Sequence, residues 1–307
     1  YTGADPDAPN WDPDHRMIRS PINGSRGPRF EMTAEDWVTH RPVLAHYLTP
    51  YTDVPGHETD DPFAILDWTD DEVFARMLAL MNERMVPGDV PLNLNATSLV
   101  TSAYCYTADE RYQTWVLDYL DAWRERTERN DGIMPDNVGP HGEIGERMDG
   151  RWWGGYYGWR WPHGAWILLE STLIAGANAN LLTGDASWFD LHRSQSDLLW
   201  SLRETREGEV VVPFRHGANG WFDYRPMQPR HHLHLYYLSR DPEDWARIET
   251  RFPDRAAWYE GSPSFGKAGH FWPERWFGYV MEENPDFPDQ VLTDTETCMQ
   301  RRLDAID

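Results

Sequence analysis

A chain of 307 residues is long enough for one large domain or two modest ones with a sizeable core. Its 51 acidic residues outnumber 28 basic residues and give a formal net charge of −23, which excludes a surface that attracts nucleic acid or anionic membranes. The sequence lacks a run of about 18 apolar residues, so no membrane-spanning segment is predicted.

The sequence begins at Tyr1 rather than at Met, and it carries no signal peptide. We interpret it as a processed protein or as a piece of a longer chain, and we expect a secreted or periplasmic location. The two cysteines, Cys105 and Cys298, are too far apart in the sequence to indicate a disulfide framework. Cys105 lies in an apolar helical run, which predicts a buried free thiol.

Residues 1–68 are rich in Pro, Gly and Asp and are predicted to form an extended N-terminal arm. Residues 69–307 are predicted to form the catalytic domain, with truncation at its C-terminal end left open. Apolar residues recur there at helical spacing. The first helix begins near Thr69, and the later helices are predicted over residues 92–106, 109–129, 163–182, 187–206, 231–239, 242–251 and 289–304. Gly208–Tyr224 is predicted to form a β-hairpin, because three valines precede a Gly-Ala-Asn-Gly turn and two aromatic residues.

An irregular repeat marks the starts of three of these helices. Each start is a short turn that delivers an Asp as helix cap and then an aromatic residue that docks the helix. The three turns are Thr107-Ala108-Asp109, Thr183-Gly184-Asp185 and Ser239-Arg240-Asp241. Helix pairs that repeat with long loops between them predict stacked hairpins, as in a solenoid closed into a ring. The alternative is an ordinary helical domain in which the similarity arose by chance.

The long loop after the third helix is the first candidate site. It is rich in glycine, which lets the backbone approach a ligand closely, and four Trp and two Tyr lie within ten of its residues. Flat aromatic rings of this kind suit the C–H face of a sugar. The catalytic candidates in and beside this loop are Asn137, His141, Tyr156, Tyr157 and His163, and the substrate-binding candidates are Trp152, Trp153, Trp159, Arg160 and Trp161. The alternative is a structural plug between helical hairpins.

The β-hairpin and the residues after it form the second candidate site. Between Pro213 and Leu235 the chain carries three Arg and one Asp, a local excess of positive charge in an acidic protein. An arginine cluster suits a carboxylated or sulfated sugar, which it binds through paired N–H groups. The catalytic candidates are His216 and Tyr224, and the substrate-binding candidates are Arg215, Asn219, Trp221 and Arg225. The alternative is ordinary pairing of surface arginines with acidic residues.

A metal site is the weakest of the interpretations. His231, His232 and His234 share possible helix or strand faces, but no carboxylate or Cys stands at a matching spacing. Whether this cluster binds a metal stays open at the sequence level, and we predict neither a metal nor a cofactor.

The hairpin repeats, the Gly- and Trp-rich loops and the Asn, His, Tyr and Arg clusters resemble the (α/α)-toroid superfamily of carbohydrate-active enzymes, over roughly residues 65–300. This group includes toroid polysaccharide lyases and six-hairpin glycosidases. The resemblance implies an all-α helical-hairpin toroid with a small β-hairpin insertion. In the lyases, Asn, His or Arg neutralises a uronate carboxylate, and Tyr or His transfers protons.

The resemblance therefore implies an enzyme that cleaves an anionic, uronate-containing polysaccharide or oligosaccharide by β-elimination, without a cofactor. Hydrolysis is the first alternative, since glycosidases use two carboxylates. The candidate carboxylates are Glu143, Glu146, Asp149 and Asp223. A non-catalytic carbohydrate-binding protein is the second alternative. The expected partner in each case is a saccharide, with no nucleic acid and no membrane; the oligomeric state is not predicted.

Overall fold

The structure is a computed structural model that describes residues 9–20, 23–24, 27–255 and 275–305. The chain divides into two compact units, Tyr1–Met227 and Gln228–Asp307.

The first unit contains six α-helices and seven strands in its described part. The helices are α1 (Arg41–Leu44), α2 (Asp71–Arg84), α3 (Ala96–Thr107), α4 (Glu110–Arg129), α5 (Ala165–Thr183) and α6 (Asp190–Ser201). The strands are β1 (Trp11–Asp12), β2 (Met17–Ile18), β3 (Asn23–Gly24), β4 (Gly27–Pro28), β5 (Glu204–Arg206), β6 (Glu209–Gly217) and β7 (Gly220–Arg225). Strands β1 and β2 pair, as do β3 and β4, and β5-β6-β7 form an antiparallel sheet.

The second unit contains α7 (Arg230–Ser239), α8 (Pro242–Arg251), α9 (Arg275–Val280) and α10 (Phe287–Asp304) in its described part. The predicted helices over residues 231–239, 242–251 and 289–304 are therefore confirmed, as is the β-hairpin of the first unit.

The three repeated turns have one construction. Asp109, Asp185 and Asp241 each accept a hydrogen bond from the backbone N–H two residues later, as helix caps do. In each turn the backbone N–H of the Asp donates to the hydroxyl of the Thr or Ser two residues earlier. The residue between them has a positive φ of 53° at Ala108, 75° at Gly184 and 54° at Arg240. The predicted repeat is thus a local corner that ends one helix and begins the next helical segment.

Two hydrophobic cores hold the first unit. One lies among α3, α4, α5 and α6 and includes Trp123 and Trp159. The other lies around α2 and includes Trp68, Tyr156 and Trp161. The loop between α4 and α5 contributes to both cores, so part of its aromatic content serves packing.

Helix α5 is the most apolar element. It has 19 residues, and an 18-residue window within it has a mean hydropathy of 1.2, so the helix is long and apolar enough to cross a membrane by length and composition. Half of the residues in that window are buried inside the first unit, where α5 packs on α3, α4 and α6. A buried core helix has the same composition, so this signal is weak evidence for a membrane span.

The prediction of an all-α toroid is wrong. The described residues are 51% helical with 11% strand, a mixed α and β architecture. The predicted helix over 187–206 ends at Ser201, because residues Glu204–Arg206 pair with β6 as an added strand. Cys105 is exposed rather than buried, since it lies in the last turn of α3 beyond the buried Val100 and Thr101.

Candidate functional site

A buried carboxylate organises the long loop between α4 and α5. Asp136 has no exposed surface, and its two oxygens accept hydrogen bonds from the backbone N–H groups of Gly154 at 3.0 Å, Gly155 at 2.7 Å and Trp159 at 2.8 Å. The side-chain amide of Asn137 donates to the same carboxylate at 3.1 Å. One side chain therefore fixes the course of the chain over the whole aromatic segment.

Glycine is required where this segment approaches Asp136. A Cβ atom on Gly155 would lie 2.3 Å from the backbone oxygen of Asp136, and one on Gly158 would lie 2.2 Å from its Oδ2 atom. Burial raises the pKa of Asp136, while its hydrogen bonds oppose that shift. The sequence reasoning missed Asp136 and chose its neighbour Asn137; the available signal was a lone carboxylate at the start of a loop with closely spaced glycines.

The aromatic candidates of the loop separate into two sets. Trp159 and Trp161 are buried, and the indole N–H of Trp159 donates to the carbonyl of Met134 at 2.8 Å. Trp152 and Trp153 are only half-buried. The first set packs the cores. In the second set Trp152 also packs against the core among α3 to α6, but both rings keep part of their surface exposed.

Three indoles surround the imidazole of His216 on β6. Its ring centroid lies 4.6 Å from that of Trp152, 5.4 Å from Trp153 and 4.8 Å from Trp221. The Nδ1 atom of His216 is buried without a hydrogen-bond partner among the described residues, and burial lowers the pKa of His216 to about 4. The ring is therefore neutral at pH 7. We call these four residues, together with Arg160, the indole–arginine site.

Arg160 is a buried cation with incomplete hydrogen bonding. It is 1% exposed, and its Nε atom donates to the carbonyl of Thr49 at 3.1 Å. Both terminal nitrogens are buried and have no partner among the described residues. A Cβ atom on Gly217, the residue after His216, would lie 3.5 Å from Nη1 of Arg160, and the Phe222 ring centroid lies 5.8 Å from the guanidinium carbon. Burial and the charge of Arg215 lower the pKa of Arg160 to about 10, which leaves it charged at pH 7.

Arg215 provides an internal comparison, because each of its three nitrogens donates a hydrogen bond. Its Nε atom donates to Asp223 at 3.0 Å, Nη2 donates to the carbonyl of Pro162 at 2.9 Å, and Nη1 donates to the carbonyl of Arg160. Arg225 is exposed and also pairs with Asp223. Arg215 and Arg225 therefore hold the hairpin together, whereas the two buried terminal nitrogens of Arg160 make no hydrogen bond to the described residues.

The tyrosine candidates lie in two different environments. Tyr156 is 1% exposed and Tyr157 packs edge-on against it at 4.5 Å, both beside the core around α2; burial raises the pKa of each. Tyr224 lies under the guanidinium of Arg206 at 4.0 Å, and its pKa is raised by partial burial and by Glu204. The structure therefore does not bring the three tyrosines together.

The remaining candidates have separate surroundings. The side chain of Asn137 donates to the carbonyl of Arg151 at 3.0 Å in addition to Asp136. Asn219 is exposed at the hairpin tip and donates to the carbonyl of Asp60 at 2.9 Å. His163 lies next to Gly164, the residue before α5. Its side chain is exposed over part of its surface, and burial of the rest together with the charge of Arg215 lowers its pKa.

The carboxylates considered for hydrolysis are already engaged or exposed. Glu146 accepts hydrogen bonds from the backbone N–H of His141 at 3.0 Å and from its Nδ1 at 2.7 Å. Glu143 lies 3.6 Å from Arg129, and Asp149 has a side chain that is 90% exposed. Asp223 is bound by two arginines, so these four carboxylates form no pair at the indole–arginine site.

Among the described residues, no group of three or more His, Cys, Asp or Glu side chains is arranged to hold a metal ion. His232 is 2% exposed, and its Nε2 atom lies 2.9 Å from Nη1 of Arg251. His234 packs against Trp276 with ring centroids 4.6 Å apart, and burial with the charge of Arg230 lowers its pKa to about 4.

A family model described as a domain of unknown function, DUF8034, matches residues 1–212 and 203–307. Because the two matches together span the whole sequence, the chain belongs to this family. No curated protein and no solved structure matches the chain.

Proposed function

We propose that this member of the DUF8034 family binds and cleaves a saccharide that carries a carboxylate, at the indole–arginine site. The observation that carries the proposal is Arg160, a buried guanidinium whose two terminal nitrogens have no partner among the described residues. A buried charge without a partner costs several kcal/mol. A ligand carboxylate would engage both nitrogens in the paired geometry that guanidinium groups favour.

The indoles supply the second part of the recognition. Trp152, Trp153 and Trp221 are half-buried around His216, so each offers part of a flat apolar surface. Such surfaces match the C–H faces of a pyranose ring and lose little conformational entropy on binding. An acidic sugar combines that apolar face with a carboxylate, which fits the charge of Arg160.

The proposed reaction is β-elimination, with His216 as base and Arg160 as the group that stabilises the enolate. His216 is neutral at pH 7 and can accept a proton, but burial lowers its pKa to about 4 and makes it a weak base, so the reaction depends strongly on Arg160. It takes the proton from the carbon next to the carboxylate, and the electron pair of that C–H bond forms the new C=C bond. The glycosidic C–O bond breaks, and the departing oxygen takes a proton from water. Negative charge that develops on the carboxylate during this step is stabilised by Arg160.

Binding without cleavage is the second candidate function. The observation that favours it is the position of the tyrosine candidates: Tyr156 and Tyr157 lie beside the core around α2, and Tyr224 lies under Arg206. Hydrolysis has less support, since the four carboxylates considered for it are engaged by basic residues or largely exposed.

The test uses polygalacturonate, alginate and hyaluronate as substrates. Ultraviolet absorbance reports unsaturated uronate products, and a reducing-end assay reports chain cleavage by either reaction. Both signals rise if elimination occurs, whereas reducing ends alone would contradict elimination. Saturable binding without either signal would support the binding function, and no binding to any of the three polymers would overturn the proposal.

Two variants localise the activity. Arg160→Met keeps the length and apolar stem of the side chain but removes the charge, and we expect a loss of about 10²- to 10³-fold in kcat, typical of a lost oxyanion contact. Arg225→Met is the control, because Arg225 is an exposed arginine on β7, the strand that carries Trp221 of the same site. Equal activity of both variants would show that Arg160 is not the carboxylate ligand.

A further inference from the structure

A second concave surface in the first unit lies outside the indole–arginine site. It is a cleft of about 620 Å³ between the last turns of α4, the turn that joins β1 to β2, and the turn at residues 141–143. Its volume falls within the range of roughly 300–1,000 Å³ that is usual for small-molecule sites. We call it the two-histidine cleft, because His15 and His141 both line it.

Each of these histidines is oriented by a carboxylate. Nδ1 of His15 lies 3.0 Å from Oδ2 of Asp12, and Nδ1 of His141 lies 2.7 Å from Oε1 of Glu146. An ionised carboxylate only accepts hydrogen bonds, so Nδ1 carries the hydrogen in both rings. Nε2 is then the acceptor of each neutral ring. The two ring centroids are 6.3 Å apart with their planes nearly perpendicular, which presents two acceptors in one cleft.

A buried arginine contributes a hydrogen-bond donor to the same cleft. Arg126 lines the cleft and is 3% exposed. Its Nη2 atom donates to the carbonyl of His15 at 2.6 Å, whereas Nη1 is buried without a partner among the described residues. The charge of buried Asp89 acts on Arg126, but Nη1 makes no hydrogen bond to it, so the wall of the cleft holds an unused donor as well as two oriented acceptors.

The charges around the cleft argue against an anionic ligand. Three arginines and four carboxylates line it, so its formal charge is −1 when both histidines are neutral. Arg16 pairs with Glu125, and Arg129 lies 3.6 Å from Glu143, which leaves little uncompensated positive charge. A hydroxyl group both donates and accepts, so it can satisfy the Arg126 nitrogen and a histidine Nε2 atom without bringing charge.

We propose that the two-histidine cleft is a second saccharide site, which binds a neutral, hydroxyl-rich sugar. His15 and His141 accept hydrogen bonds from sugar hydroxyls, and Arg126 donates one. The two sites differ in the charge that acts on their arginine: the carboxylate of buried Asp89 acts on Arg126, whereas the largest charge that acts on Arg160 is the cation of Arg215. The two sites therefore select sugars of different charge.

The experiment is a titration of the folded full chain with cellobiose and with xylobiose, followed by nuclear magnetic resonance of the imidazole nitrogens. We expect saturable shifts of the Nε2 signals of His15 and His141. His141→Gln should weaken binding at least tenfold, since the side chain of His141 is largely exposed and its loss leaves the fold intact. Arg111→Gln is the control and should leave binding unchanged, because Arg111 is exposed on α4 and lies outside the cleft.

Absence of shifts at His15 and His141 with both disaccharides would overturn the proposal, as would unchanged affinity in His141→Gln. Digalacturonate serves as the second probe. If it binds the His141→Gln variant as it binds the wild type, while cellobiose does not, the two sites are independent. A failure confined to the uronate probe would count against the proposed function and leave the two-histidine cleft supported.

Discussion

Replacement of Asp136 by Ala tests the idea that one carboxylate shapes the candidate site. The substitution removes the acceptor of three backbone N–H groups, those of Gly154, Gly155 and Trp159. A buried donor left without an acceptor costs about 1–3 kcal/mol, so the three together cost roughly 3–9 kcal/mol. A typical domain is stable by only about 5–15 kcal/mol, so the variant should be close to unfolding.

The assay is urea unfolding at pH 7 monitored by tryptophan fluorescence, with near-ultraviolet circular dichroism of the native state. Asp136→Ala should lower the free energy of unfolding by several kcal/mol and reduce the aromatic dichroism of the loop. Asp149→Asn is the control within the same loop, because the side chain is 90% exposed and Asn tolerates the positive φ of 53° at this position, and it should change stability by less than about 0.5 kcal/mol. A loss below about 1 kcal/mol for Asp136→Ala, smaller than one orphaned donor predicts, would refute the reasoning.

Three further predictions concern stability. His216 has a pKa of about 4 in the folded protein against 6.5 when exposed, so its contribution to the free energy of unfolding is complete above pH 6.5 and is lost as the pH falls to 4. The loss over this range is about 3 kcal/mol. Urea unfolding at pH 7 and pH 4.5 should therefore show a smaller pH dependence for His216→Gln than for the wild type. Ala108→Gly should stabilise the protein by about 0.5–1 kcal/mol and Gly184→Ala should destabilise it by about 1 kcal/mol, because both positions have positive φ. A lower melting temperature for Ala108→Gly, or a higher one for Gly184→Ala, would contradict the shared corner. Tyr119→Phe removes the hydroxyl that donates to the buried Asp89 at 3.0 Å and should cost about 1–3 kcal/mol in urea unfolding at pH 7; an unchanged midpoint would show that the hydrogen bond contributes nothing.

The helix starts could be predicted because their signals are local. An Asp two residues after a Ser or Thr caps the next helical segment at each of the three corners, and hydrogen bonds within four residues are enough to build that geometry. The toroid prediction was wrong because it inferred from these local corners that the helical hairpins close into a ring. Strand β5 shows the difficulty: Glu204–Arg206 are charged or polar residues that continue a helical pattern, and only their pairing with β6 makes them a strand.

The roles of the loop aromatics could not be predicted from their spacing. Trp152, Trp153, Trp159 and Trp161 lie within ten residues, yet the last two are buried and the first two are half-buried. Which ring faces a core depends on Asp136, whose hydrogen bonds reach 18 to 23 residues along the chain. A long-range contact of this kind leaves no periodic signal in the sequence.

The roles of Arg160 and Arg215 also depend on tertiary contacts that the sequence does not reveal. Arg160 and Arg215 were equivalent candidates, since both stand in aromatic, glycine-rich segments. In the folded chain Arg215 is bound by one carboxylate and two carbonyl oxygens, whereas the terminal nitrogens of Arg160 are buried without partners among the described residues. The first arrangement is what a structural arginine requires, and the second leaves a desolvation cost that an external anion would offset. The distinction arises from tertiary contacts alone, and it is the reason that Arg160→Met tests the proposed function more directly than any substitution at Arg215.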